Sequence, residues 1–510
     1  MAAIDAHTTD KPCEESPRDP SVKIIDTPSE VVLVKHKLGF LNLIALGFNV
    51  CNSWAGISSS MQVALLQGGP GALLYGLFLT TSLYLSIALS MAELASVYST
   101  AGGQYHFASI LAPDRVSRGS SYICGFITMI SWEVIGATVT MVASAQILAL
   151  WQYYHPSFRA NQWHSFVIYE AFGLFVALYN NLVLPRALWT HNFGFTLNMV
   201  VFVVVTVLLI VRPSNKAPDA FVWDTFVNFT GWPDGICFLT SLLTSSFGFT
   251  GLDACIHLAE DVSSPKKVVP RAIVLTVAIG FVTTFPFIVV LLYGISDMNA
   301  VLAIQGYLPF EMYRMIWRSD TAAIAIIVSS IVLTFCIVNA IMQTSSRMTW
   351  AFARDNGISF SCVFGKMHPT HGVPLNAAIL NWVILSLCGV VFLASKIAFN
   401  ALLGSMVVLQ LLSYEIPLVL LLWRRRGNRF LPPNRPFRLP KTVGWIVNVY
   451  AVALGSALSA FFLLPPFLPV TSQNMNYTCA ILGIGAVLCL LNWFIHARQH
   501  YNGPHIVFHE

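Results

Sequence analysis

The chain runs to 510 residues, of which 56% are apolar and 10% charged, where a soluble protein carries roughly 25% charged residues. That shortage excludes a water-facing surface over most of the chain. The net charge of +5 therefore reads as membrane topology and not as a nucleic-acid footprint.

Residues 1–36 are polar and rich in Pro, Asp and Lys, with no apolar run after a basic start. They read as a disordered cytoplasmic tail and not as a cleavable signal peptide. Lys11, Ser16 and Lys23 are its candidate regulatory targets. Apolar runs follow at 39–67, 72–96, 121–152, 164–184, 189–211, 236–258, 272–295, 321–345, 376–395, 398–422, 443–468 and 478–496. This predicts an all-α polytopic membrane protein of about twelve transmembrane helices, ending in a cytoplasmic tail over 498–510. Segments 38–92 and 442–497 contain no Asp, Glu, Lys or Arg, and each is long enough for two helices of about 20 residues.

Lys and Arg concentrate in cytoplasmic loops. With the N-terminus inside, 22 of the 28 basic residues fall on the inner side, and both termini are expected in the cytoplasm. Most of the bias comes from Arg424, Arg425, Arg426, Arg429, Arg435, Arg438 and Lys441, in a loop over 424–442 that reads as a stop signal at the inner leaflet. The two glycosylation sequons, Asn228-Phe-Thr230 and Asn476-Tyr-Thr478, both fall in segments placed outside. The ten cysteines are scattered without a C-x-x-C pair, and small buried hydrophobes are their default reading.

No phosphate-binding G-x-x-x-x-G-K-[ST] loop and no H-E-x-x-H cluster occurs. The chain is therefore not expected to be an ATP-driven pump by itself, an enzyme, or a holder of a metal or other cofactor. Two spans look breakable. Span 1 reads Gly47-Phe-Asn-Val-Cys-Asn-Ser-Trp-Ala-Gly-Ile57, and span 6 reads Thr244-Ser-Ser-Phe-Gly-Phe-Thr-Gly-Leu-Asp253. Five spans separate them, an odd number, so a repeat of spans 1–5 in spans 6–10 has to be inverted, as in many secondary transporters. Unwound backbone at membrane depth is tolerated where it is buried in protein or lines a cavity. The plainer reading of the same residues is close helix packing through Gly and Ser.

Further motifs follow in order. They are Asn52-Ser-Trp-Ala-Gly-Ile-Ser58 with Gly68-Gly-Pro70, Ala92-Glu-Leu-Ala-Ser96 with Ala101-Gly-Gly-Gln-Tyr105, and Thr230-Gly-Trp232. Then come Phe249-Thr-Gly-Leu-Asp-Ala254, His257-Leu-Ala-Glu-Asp261, Val269-Pro-Arg-Ala-Ile273 and Ser346-Arg347 with Trp350-Ala-Phe-Ala-Arg-Asp-Asn-Gly357. Gly372-Val-Pro-Leu-Asn-Ala377 and Asn474-Met-Asn-Tyr477 complete the set. From about residue 36 to 503 the chain resembles the fungal amino acid/choline branch of the amino acid–polyamine–organocation superfamily. The resemblance implies a five-plus-five inverted repeat, 37–212 and 235–423, with helices 1 and 6 broken, two additional helices in 443–497, and solute uptake by alternating access.

By the same resemblance, substrate lies between the two breaks, against Ser53, Trp54, Ala55, Gly56 and Ile57 and against Phe247, Gly248, Phe249, Thr250 and Gly251. Independently, exposed helix N-termini attract a carboxylate, while unwound carbonyls and helix C-termini attract an ammonium. A quaternary amine needs only the carbonyl end and aromatic faces. Asp253, just past the second break, is a candidate to orient that break or to compensate substrate charge. Ionisable groups inside spans are functional candidates because burying them is costly. Glu133 in span 3 and Glu415 in span 10 are thus candidates for an amine site or a coupling proton, if they face the cavity. Glu93 is expected to pair with a loop cation. Glu260 and Asp261, followed by Lys266, Lys267 and Arg271, are expected to form an inner-gate ion network.

The expected function is uptake of a small nitrogenous solute across the plasma membrane. The Asn-Ser-Trp-x-Gly-Ile-Ser string, the Asn-Gly after Ala-Arg-Asp and the Met-Asn-Tyr most resemble choline permeases, and choline or a related amine is the leading candidate. The His-x-x-Glu-Asp string is closer to amino-acid and γ-aminobutyrate members, which stay open as the alternative. Span 5 lacks the Lys that some superfamily members carry where others bind sodium, and proton is the expected coupling ion. A transporter-like nutrient sensor is the reading from another class.

Overall fold

The computed structural model describes residues 38–504 apart from 214, 305, 370, 371, 395–397 and 473. The expected N-terminal tail and residues 505–510 lie outside the described residues. Span 1 is split into Phe40–Cys51 and Ser53–Leu66, and span 2 is Gly69–Ala95. Spans 3, 4 and 5 are Asp114–Tyr154, Gln162–Leu182 and Trp189–Val211. Span 6 is split into Asp234–Phe247 and the single turn Ala254–His257. Spans 7 to 12 are Pro265–Gly294, Asp320–Arg354, Leu375–Ala394, Ala398–Trp423, Lys441–Phe461 and Thr478–Asn492.

Ten of these spans are long and apolar enough to cross a bilayer as continuous or once-kinked helices. The other two are span 6, whose halves are short because it is broken, and span 9, whose apolar stretch Leu375–Val391 is shorter. Spans 3 and 8 outrun their apolar runs. At 41 residues span 3 is about 60 Å long, so it projects well beyond a hydrocarbon core of ~30 Å. Large apolar side chains stay exposed on the perimeter, among them Val203 and Val207 on span 5 and Ile484, Val487 and Leu491 on span 12, which is the surface lipid covers in this multi-pass membrane protein.

Span 2 packs along span 7, and span 3 along span 8. Span 1 lies against span 7 as span 6 lies against span 2, and span 5 lies against span 8 as span 10 lies against span 3. This exchange of partners is the pattern of an inverted repeat. Span 11 leans on spans 10 and 2, and span 12 on spans 10 and 3, outside the ten-helix core.

The breaks differ in kind. Span 1 breaks at one residue, Asn52, which adopts a left-handed conformation at φ 37° and ψ 52° that Asn tolerates better than most residues. Gly56 is not the break. It lies within the second half-helix, where an added Cβ would sit 3.7 Å from the Gly248 backbone, so it brings the two broken spans together. Span 6 unwinds over residues 248–253, with Gly251 at φ +85° against the Val50 side chain.

Elements beyond the spans close the two faces. On the face carrying the basic loop, the helix Gln104–Leu111 tucks between spans 2 and 3, and its neighbours are spans 3 and 10. On the opposite face, the helices Met298–Leu302 and Leu308–Trp317 occupy the connection between spans 7 and 8. A two-residue ladder pairs Gln67–Gly68 with Val227–Asn228, joining the turn between spans 1 and 2 to the connection between spans 5 and 6.

Candidate functional site

Two cavities, with about 470 and 480 Å³ of empty space counting the open space at their mouths, meet beside the span 1 break and share Asn52, Ala55, Gln146 and Thr334. The first rises toward the helix Leu308–Trp317 and is walled by Trp54, Ser58, Tyr307, Phe310 and Tyr313. The second lies deeper, between Gly56, Ser59, Phe247, Thr250 and Met406. Of the ten residues expected from the two breaks, Trp54, Ala55, Gly56, Phe247 and Thr250 line these spaces. Ser53, Ile57, Gly248, Phe249 and Gly251 are buried behind the walls; for Ser53 and Ile57 this follows because successive helical residues point around the axis and only one face meets the cavity, while Gly248, Phe249 and Gly251 lie in the unwound segment packed among neighbouring spans.

The remaining walls come from spans that sequence reasoning left out. Gln146 of span 3 accepts from the Thr334 hydroxyl at 2.9 Å and donates to the Tyr307 hydroxyl at 3.3 Å, joining spans 3 and 8 to the outer helices. The Tyr313 hydroxyl lies 3.2 Å from Ser58 Oγ, and its ring stacks on Trp317. A lone Gln within the apolar run of span 3 was the available signal for this wall. Among the described residues, no Asp or Glu lines either cavity.

Asp253 does not face the cavities. It is fully buried on the basic-loop side of the span 6 break and is hydrogen-bonded to four side chains. Oδ2 accepts from Gln104 Nε2 at 2.5 Å and Trp132 Nε1 at 3.2 Å and shares a hydrogen bond with His257 Nε2 at 2.9 Å, and Oδ1 accepts from the Tyr414 hydroxyl at 2.7 Å. One carboxylate thus ties the span 6 break to span 3, span 10 and the Gln104–Leu111 helix. The cavities and this knot lie on opposite sides of the unwound segment.

The ion pairs of the basic-loop side are long-range. Arg354 of span 8 grips Glu260 with both terminal nitrogens, at 3.1 and 3.2 Å, and its guanidinium lies over the Trp350 ring. Ala101 N–H also donates to Glu260, at 3.1 Å. Burial pulls the Glu260 carboxyl upward, but Arg354, the Ala101 N–H and Arg347 outweigh it and hold the group below its ordinary value. Arg347 pairs with Asp261 at 3.1 Å. Burial, reinforced by Glu260, holds the Asp261 carboxyl above its ordinary value in spite of Arg347. The expected partners Lys266, Lys267 and Arg271 do not take this part. They are exposed, because span 7 starts at Pro265 and its first turns carry them outward. Glu93, buried at the end of span 2, is paired with Arg426 and Arg435 of the basic loop and also accepts from Leu439 N–H at 3.2 Å.

The two outlying carboxylates sit elsewhere. Glu133 accepts from Ser345 of span 8 at 2.7 Å, and Asn381 of span 9 donates to the same hydroxyl at 2.6 Å. Glu415 accepts from Ser456 of span 11 at 2.8 Å, on the far side of span 10 from the cavities. The sequon amides are engaged too. Asn228 Nδ2 donates to Trp232 O and Asp234 Oδ1, at 2.7 and 2.8 Å. Asn476 Nδ2 donates to Phe462 O and Leu464 O, at 2.7 and 2.9 Å.

Residues 38–487 match the family model described as amino acid permease. The chain is 31% identical over 474 residues to a choline transporter of Saccharomyces cerevisiae, spanning 92% of this chain and 83% of that protein. It is 28% identical to a swainsonine transporter of Arthroderma benhamiae, over 93% of this chain and 94% of the other. It is likewise 28% identical to an amino-acid permease of Arabidopsis thaliana, over 92% and 93%. A matched model over most of the length, two broken helices and a cavity between them lead to one conclusion: the chain belongs to the amino acid permease family.

Proposed function

We propose that this secondary transporter of small nitrogenous solutes takes up choline or a related amine, coupled to protons, with its basic loop and both termini in the cytoplasm and the plasma membrane as its site of action. The observation that carries the reading is the composition of the cavity wall. It offers aromatic faces from Trp54, Phe247, Phe310 and Tyr313, together with the amides and hydroxyls of Asn52, Ser58, Gln146 and Thr334, and among the described residues no carboxylate. A quaternary ammonium is held by ring faces and carbonyl dipoles without a counter-ion. The likeness to a yeast choline transporter supports the same solute.

A second reading, uptake of an amino acid or γ-aminobutyrate, is favoured by one feature. The N-terminus of the half-helix Ser53–Leu66 lies at the cavity through Trp54, Ala55 and Gly56, and helix N-termini attract carboxylates. Inner-side pairs Glu260 with Arg354 and Asp261 with Arg347, together with cavities lying toward the other face, support an alternating-access cycle with the inner gate closed.

The test is labelled uptake in cells stripped of their own permeases, comparing choline, ethanolamine, γ-aminobutyrate and neutral amino acids at two external pH values. Choline accumulation, stronger at acid pH, is the expected result. Accumulation of none of them, with the protein at the cell surface, would remove the transport reading. Accumulation of γ-aminobutyrate or amino acids alone would select the second.

A further inference from the structure

His257 is buried one helical turn from Asp253, and both of its ring nitrogens face oxygen acceptors. Nδ1 lies 2.8 Å from the carbonyl oxygen of Ala101, and Nε2 lies 2.9 Å from Asp253 Oδ2. A carbonyl oxygen only accepts, so Nδ1 carries a hydrogen. The contact between Nε2 and Oδ2 needs a second one. Either the ring is doubly protonated beside an ionised carboxylate, or a carboxylic acid donates to a neutral ring. Both forms are neutral overall and hold the same proton. Remove it, and a nitrogen lone pair faces a carboxylate oxygen at 2.9 Å inside a sealed core, which the geometry cannot keep.

We propose that the Asp253–His257 pair is the site that binds and releases the coupled proton. This rests on the reading of the chain as a proton-coupled transporter. Charge balances simply: the pair passes between neutral and −1 as one proton arrives from one face and leaves to the other.

The surroundings suit a site whose charge changes. The titratable groups around the pair are Cys51 on span 1, Cys124 on span 3, Tyr414 on span 10 and Cys255 on the same turn. Thiols and phenols are neutral at ordinary pH, so these groups supply no fixed counter-charge. Span 8 contributes Arg347 and Arg354, each paired with its own acid, and the basic residues opening span 7 are exposed. Tyr414, Trp132 and Gln104 all donate to Asp253, so they stabilise its negative form.

The pair also has a mechanical connection. The Ala101 backbone accepts from His257 through its carbonyl and donates to Glu260 through its N–H, so one residue, through two successive peptide groups, joins the proton site to the Glu260–Arg354 latch. Loss of the proton breaks the His257 contact with Asp253 and loosens the turn Ala254–His257 that holds the Ala101 carbonyl. Proton release is thereby linked to opening of the basic-loop side, while Thr250, three residues upstream of Asp253, carries the change to the cavity wall.

The test uses full-length protein in liposomes, with a pH gradient imposed and labelled choline or γ-aminobutyrate outside. Wild type is expected to accumulate one of them when the outside is acid. His257→Gln should lose about tenfold or more of that accumulation, while solute exchange at equal pH, which needs no net proton, falls less. Tyr414→Phe removes a donor from the negative form, so the half-maximal pH for uptake should rise by about one unit, and Trp132→Phe should act the same way. Undiminished pH-driven accumulation by His257→Gln overturns the inference. If that variant does not fold, an unmoved half-maximal pH in both Tyr414→Phe and Trp132→Phe overturns it as decisively. A wild type that ignores the gradient defeats the proton-coupled reading itself, a different result from a pH-driven wild type with indifferent variants.

Discussion

The indole N–H of Trp54 donates to Asn198 Oδ1 at 2.6 Å, and Asn198 Nδ2 donates in turn to Asn52 Oδ1 at 2.7 Å. One buried amide on span 5 therefore holds both the left-handed hinge of span 1 and the aromatic wall beside it. Replacing it strands two buried partners, each worth about 1–3 kcal/mol. Asn198→Ala is expected to reduce uptake roughly tenfold or more with the protein still at the surface, whereas Asn198→Asp, which keeps the acceptor for Trp54, should lose less. Initial-rate uptake with surface labelling checks this.

The Glu260–Arg354 pair supplies a pH prediction whose sign is fixed. Because Glu260 is held below its ordinary value, its contribution is complete above the usual Glu value of about 4.3 and is lost only as pH falls through the lowered one. Asp261 is held above its ordinary value, so its pairing with Arg347 neutralises at a higher pH. Between about pH 5 and 8 the Glu260 latch should not change, and Glu260→Gln should leave the pH response of uptake in place while raising thiol-reagent access from the basic-loop side. A pH response abolished in Glu260→Gln would show that the latch, and not Asp253 with His257, carries the proton.

Glu93 answers two guanidinium groups, and Arg426 is itself buried. Removing one partner from a buried ion cluster costs about 3–5 kcal/mol, because the remaining charges lose their compensation. Glu93→Ala should lower thermal stability in detergent far more than Arg429→Ala, a change elsewhere in the same loop. A melting curve for each variant decides it.

Glu133 and Glu415 are bonded to Ser345 and Ser456 and line neither cavity. Glutamine can keep either hydrogen bond. Glu133→Gln and Glu415→Gln should each transport within about twofold of wild type with an unmoved pH profile, since a group away from the solute path contributes mainly packing and local hydrogen bonds. A profile displaced by either change would return that residue to the coupling path.

Asn228 and Asn476 each spend both amide hydrogens on the fold, and Thr230 and Thr478 are buried. A glycan on Nδ2 would displace at least one of these bonds. Glycosidase treatment should leave electrophoretic mobility unchanged, and Asn476→Asp should lower the melting temperature by removing the donors to Phe462 and Leu464.

The twelve spans, the uneven placement of basic residues and the two weak points in spans 1 and 6 were legible in the linear chain. Each is a local property: transfer of a helical segment into lipid, the side on which a cation stays hydrated, and the tolerance of Gly and Asn for unusual backbone angles. Even there the string Gly47–Ile57 left open which residue turns: the hinge is Asn52, while Gly56 serves close packing against Gly248. Tertiary structure alone decided which acid meets which base. Glu93 finds Arg435 across 342 residues and Glu260 finds Arg354 across 94, past nearer cations that helix rotation turns outward. It also decided that Asp253 faces away from the solute cavity and toward His257, Trp132 and Tyr414, since the direction of a side chain in an unwound segment is set by the helices packed around it.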